Sequence, residues 1–165
     1  MEHLGPVIDI HGGGCDLVFP HHSAEILQSE ALTGQGPFAR VWVHTGMVSL
    51  GEAKMSKSLG NLVFVSDLLE RFEGGAVRRY LLGHHYRASW SYDDATLADA
   101  AHGFKRWREA AGGRGTDADL EAAFAAALCD DLDTPTAIEV LDRAAEAGAG
   151  GSLRRLAGVL GFTLA

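Results

Sequence analysis

The segment Lys54-Met55-Ser56-Lys57-Ser58, followed by Leu59-Gly60-Asn61, places two ammonium groups and two hydroxyls in a short glycine-flanked stretch. That set suits a triphosphate. The lysines can neutralise charge that builds on the phosphates as an adenylate forms, and the hydroxyls of Ser56 and Ser58 can donate hydrogen bonds to phosphate oxygens. The rival reading is a solvated loop that carries charge for solubility.

A second group of residues runs from Asp9 to Glu25. His11, the run Gly12-Gly13-Gly14, Cys15 and Asp16 follow an apolar segment, Val7-Ile8-Asp9-Ile10, that reads as a short strand. Glycines without a Cβ let backbone approach a ligand closely, or allow a tight turn of positive φ. Further on, His21 and Glu25 are four residues apart, so on a helix they share a face and both could reach one metal ion. A capping and packing role at a helix start is the alternative for that pair. His3 or Cys15 could complete a rearranged site, but the spacing does not require either.

These motifs resemble the second half of the catalytic domain of cysteinyl-tRNA synthetases, class I enzymes with a KMSKS loop. They also resemble the related cysteine ligase of mycothiol biosynthesis, which joins cysteine to an amino sugar. The likeness continues through Gln28-Ser29-Glu30-Ala31, Trp42-Val43-His44-Thr45-Gly46-Met47-Val48, Leu81-Leu82, His85-Tyr86-Arg87 and Asp130-Asp131-Leu132-Asp133-Thr134-Pro135.

The resemblance implies ATP with Mg2+, an amino acid (cysteine favoured) and an acyl acceptor that is tRNA or a small amine. It implies a charge-neutralising role for Lys54 and Lys57. It also implies adenylate contacts from His11, Gly12, Gly13, Gly14, Cys15, Asp16, Val48, Ser56 and Ser58, with Val48 near the adenine ring. In the family, a histidine and a glutamate matching His21 and Glu25 help hold a zinc ion that binds the substrate thiolate, since a soft thiolate is held where a serine hydroxyl is not. The two cysteines that complete that zinc set have no counterpart here, so the expected set is incomplete. His22-Ser23-Ala24-Glu25 also departs from the commoner His-Glu-Asn-Glu. The HIGH-type motif of the family's first half is absent from this sequence. The expectation is therefore a chain that draws that half from a second chain or self-associates, or a truncated paralogue that binds nucleotide, tRNA or a partner without catalysis.

Composition sets outer bounds. The 165 residues are 47% hydrophobic, enough for a core, and the net charge of −8 argues against broad non-specific nucleic-acid binding. Local basic groups, Arg78-Arg79, Lys105-Arg106-Arg108 and Arg154-Arg155, are candidates for tRNA contact, with solvated helix faces as the simpler reading. No apolar run reaches membrane-span length, and Cys15 and Cys129 form no paired framework, which suits a reducing cytoplasm.

The elements expected to position these residues are an α/β fragment of a Rossmann-like parallel sheet followed by an α-helical bundle. The expected division is residues 1–62 for the nucleotide-binding segment with its KMSKS loop, and 63–165 for the helical part. Strands are expected near 7–10 and 41–43. Helices are expected at 23–32, 68–72, 76–84, 93–111, 117–128, 135–147 and 153–160, with Thr134 capping the sixth and a linker at 112–115. Trp42, Trp90 and Trp107 read as core; His44, His84, His85 and His102 read as structural or surface residues. Two parallel strands are not stable alone, so the sheet must lean on another element or chain.

Overall fold

The computed structural model describes residues 3–51, 53–55 and 59–164. It is a mixed α/β chain, as the sequence implies. Two compact units emerge: residues 1–49 with 86–90, and residues 50–85 with 91–165.

The first unit is built on two parallel strands, β1 (Ile8–Gly14) and β2 (Ala39–Thr45), joined through α1 (Ser23–Thr33). Ile10 pairs with Val41, His11 with Trp42 and Gly13 with His44. Strand β1 runs four residues further than its apolar segment suggests. Gly12, Gly13 and Gly14 therefore lie in the ladder rather than in a loop, and none of them has positive φ. Partners on β2 supply the pairing that glycine's weak strand preference would not. A short 3-10 turn (Cys15–Leu17) and a π-type turn (Val18–His22) then lead into α1, which ends where Gly34 takes the left-handed conformation at φ 66°.

Alternation along the strands gives this sheet two faces. His11, Gly13, Trp42 and His44 share one. Ile8, Ile10, Ala39, Val41 and Val43 share the other, where Ile10 is 66% and Val41 51% exposed. Among the described residues, Ala39 is the one buried apolar side chain of this unit.

The second unit holds a true core. Its helices are α2 (Val65–Leu69), α3 (Gly74–Leu82), α4 (Asp94–Ala110), α5 (Ala118–Cys129), α6 (Thr134–Glu146) and α7 (Gly150–Val159). Trp107, Phe104, Phe124, Leu141, Leu153 and Phe162 meet in its centre. Asp93 caps α4 by accepting from the Thr96 amide at 2.7 Å, and Asp117 caps α5. For α6 the cap is Asp133, one residue before the expected Thr134: its carboxylate takes the Thr136 amide at 3.1 Å and the Thr136 hydroxyl at 2.6 Å. The glycines at 112–115 are not a free linker. They pack on the start of α7, where the Gly151 amide donates to the Gly115 carbonyl at 2.8 Å.

Three short strands lie outside the expected pattern: β3 (Val48–Leu50), β4 (Ala53–Lys54) and β5 (Trp90–Tyr92) form a sheet in the order β4-β3-β5. Among the described residues no helix is long and apolar enough to cross a membrane.

Candidate functional site

The polar face of β1 and β2 carries a cluster of imidazoles. His22, delivered by the turn before α1, is only 3% exposed. Its Nδ1 shares a hydrogen bond of 2.9 Å with Nε2 of His44 on β2. The His11 ring meets it edge-on at 4.9 Å, and Trp42 lies 4.8 Å from His11 and 5.0 Å from His22 while stacking on His44 at an interplanar angle of 8°. Burial, then the neighbouring imidazoles of His11 and His44, hold His22 below the ordinary histidine pKa, so its neutral form is favoured.

Gly13 makes this arrangement possible. A Cβ there would lie 2.8 Å from Cε1 and 2.9 Å from Nε2 of His22, too close for a packed ring. Glu25, in the first turn of α1, turns one oxygen to each side: Oε2 is 3.1 Å from His11 Nε2, and Oε1 is 3.5 Å from His21 Nε2. His21 itself is 57% exposed at its side chain. The ligand atoms of His11, His22 and Glu25 all lie within 4.8 Å of one another.

The other expected site residues are placed as follows. Gly14 sits against Asp16, whose Oδ1 would be 2.5 Å from a Cβ at position 14, with Met47 Sδ at 3.5 Å. Cys15 and Asp16 are exposed in the 3-10 turn, and Val48 opens β3 half-buried. Lys54 ends β4. Ser56, Lys57 and Ser58 lie outside the described residues.

The basic groups are mostly engaged inside the second unit. Arg79 binds both oxygens of Asp142 at 2.7 and 3.0 Å and lies over the Trp107 ring. Arg108 pairs with Glu73 at 2.6 Å, Arg155 pairs with Glu121, and Arg154 donates to the Ala111 and Gly113 carbonyls. Arg108 and Arg155 keep about half of their side chains exposed, as a solvated helix face would, whereas Arg79 is only 14% exposed and is held against α6 and Trp107 instead.

From sequence alone His44 reads as structural or surface and Trp42 as core, yet both line this face. Their period-2 spacing on β2, opposite His11 and Gly13, was the signal that could have joined them.

The fold is that of class I aminoacyl-tRNA synthetases. The LeuRS of Agrobacterium radiobacter K84, in a ternary complex with tRNA and LeuAMS, superposes with a TM-score of 0.68 at 20% identity, over 94% of this chain and 26% of that one. Residues 1–102 match the family of tRNA synthetases class I (C) catalytic domain. A Nakamurella multipartita L-cysteine:1D-myo-inositol 2-amino-2-deoxy-alpha-D-glucopyranoside ligase is 50% identical over 141 residues, covering 84% of this chain and 35% of that protein. A Cupriavidus pinatubonensis cysteine--tRNA ligase is 45% identical over 173 residues, covering 96% and 37%. The chain belongs to this class I synthetase and cysteine-ligase family, and it spans little more than a third of the length of these two curated relatives.

Proposed function

We propose that this chain forms part of an ATP-dependent ligase that activates an amino acid, with cysteine the favoured substrate, and passes the acyl group to tRNA. The carrying observation is the polar face of β1 and β2, with its imidazole cluster and Glu25, in a chain that also contains Lys54 and Lys57 in a KMSKS segment. The substrate carboxylate attacks the α-phosphorus of ATP and pyrophosphate leaves, so no protein nucleophile is needed. Lys54 and Lys57, with Mg2+, neutralise the phosphates, and Ser56 and Ser58 donate to them. His11, the glycines 12–14, Cys15, Asp16 and Val48 would line the adenylate.

Zinc is the metal that the resemblance suggests. When bound, it would supply thiolate recognition. The donor chemistry here fits such an ion: two imidazoles and a carboxylate converge, and Glu25 Oε2 is buried without a hydrogen-bond partner.

Two readings stay beside this one. The relative that is 50% identical is named as a ligase of L-cysteine with an amino sugar, which supports a small amine as acceptor. The near absence of a buried apolar core among the described residues of the first unit supports a remnant that binds a nucleotide or partner without catalysis. Calorimetric titration with a non-hydrolysable cysteinyl-adenylate analogue tests the proposal. Binding that weakens in Lys57→Ala supports it, and no binding removes it.

A further inference from the structure

We infer that Ser89 and Ser91, on either side of Trp90, are positioning residues that set the two ends of the proposed nucleotide site. Ser89 fixes the Met47-Val48 segment, where the adenine ring is proposed to lie, and Ser91 fixes the turn that leads into Lys54. Both roles rest on the ligase reading above.

Parallel sheets bind ligands beyond the carboxyl ends of their strands. Strand β1 ends at Gly14 and β2 at Thr45, so the chain from Gly46 onwards leaves from that end. Met47 lies against it: its Sδ is 3.5 Å from the place of a Cβ on Gly14. Residues 86–90 grip this backbone. The Gly46 amide donates to the Tyr86 carbonyl at 2.7 Å, and the Trp90 amide donates to the Met47 carbonyl at 3.0 Å. The approach is so close that a Cβ on Gly46 would overlap the Ala88 carbonyl.

The Met47 amide, by contrast, donates to a side chain, Ser89 Oγ, at 3.0 Å. A hydroxyl oxygen accepts there in place of a strand carbonyl, so the seat of Met47 depends on one replaceable group. On the other side of Trp90, the Ser91 hydroxyl donates to the Gly51 carbonyl at 3.3 Å. Gly51 takes the left-handed conformation, with φ 61°, between β3 and β4, and β4 ends at Lys54. Both bonds are exposed. Water therefore satisfies the freed groups when either hydroxyl is lost, and the cost falls on position rather than on folding.

The two ends differ in what the reaction asks of them. Adenine is held alike before and during the reaction, so loosening its seat raises KM. Charge on the phosphates grows towards the transition state, so loosening the approach to Lys54 lowers kcat.

The test is cysteine-dependent ATP–pyrophosphate exchange, with the chain together with a polypeptide supplying the rest of the catalytic domain. Ser89→Ala should raise the KM for ATP about fivefold and keep kcat within about twofold, as for the loss of one ordinary hydrogen bond. Ser91→Ala should lower kcat about fivefold and keep that KM within about twofold. Ser89→Thr and Ser91→Thr retain a hydroxyl and should restore each value. Titration with the cysteinyl-adenylate analogue reads the Ser89 arm without turnover. Ser89→Ala should bind it about fivefold more weakly, and Ser91→Ala within about twofold of wild type, because the analogue carries no β- or γ-phosphate. Serines with only a structural role would lower the active fraction, so that kcat falls alike in both alanine variants and KM stays put. That pattern, alanine variants that match wild type, or a loss that threonine does not restore overturns the assignment and leaves the ligase standing. A wild-type chain that neither exchanges nor binds the analogue removes the ligase and this inference with it.

Discussion

A Cβ on Gly13 would fall 2.8 Å from the ring of His22, so strand β1 and the buried imidazole share this space only because residue 13 is glycine. Gly13→Ala must push the ring away from His44 and His11. Affinity for the cysteinyl-adenylate analogue should fall by about tenfold or more, as for a displaced positioning group, with the second unit's unfolding unchanged. Calorimetry with chemical denaturation checks both; unaltered affinity would show that the ring does not need that space.

Arg79 and Asp142 tie α3 to α6, and Trp107 Nε1 also donates to Asp142 at 2.7 Å. Asp142→Ala leaves the guanidinium and the indole N–H without their acceptor, and Nε of Arg79 is already buried without a partner. The loss should be about 3 kcal/mol. Urea unfolding followed by circular dichroism measures it; a loss below about 1 kcal/mol would reduce the pair to a surface contact.

The caps Asp93 and Asp133 are held below the ordinary aspartate pKa, chiefly by the Thr96 and Thr136 hydroxyls respectively and then by those residues' amides. A depressed native pKa means that the unfolded chain takes up the proton first on acidification. The stabilisation is therefore complete above the unfolded value of 3.8 and is lost as pH falls through the lower native value. Asp93→Ala and Asp133→Ala should each destabilise the second unit at neutral pH, with the gap to wild type closing in acid. A gap constant across that range would contradict the assignment.

Ile10 and Val41 are cross-strand neighbours on an open face, whereas parallel sheets are normally covered on both faces. The occupant proposed here is the remaining part of the catalytic domain found in the longer relatives. Ile10→Lys should weaken association with a polypeptide supplying that part, read by light scattering, and leave the melting of the second unit alone. Association indifferent to Ile10→Lys would place the contact elsewhere.

Local signals made much of this architecture legible. The helix at Ser23–Thr33 announces its end with Gly34, and α4 carries Leu97, Phe104 and Trp107 at helical spacing behind the Asp93 cap. Elements defined by distant partners were not legible. Gly12–Gly14 are strand because β2 pairs with them, and β3, β4 and β5 are too short to carry periodicity. The same holds in the site. Glu25 stood out beside His21, but the trio with His11 and His22 needs β1 and α1 to fold together, and His44 meets His22 from 22 residues away.

The most direct measurement is cysteine-dependent ATP–pyrophosphate exchange, with this chain alone and with a polypeptide supplying the rest of the catalytic domain. The account predicts exchange with the two together, specific for cysteine and abolished by Lys57→Ala. No exchange in either preparation, or exchange indifferent to Lys57→Ala, would contradict it.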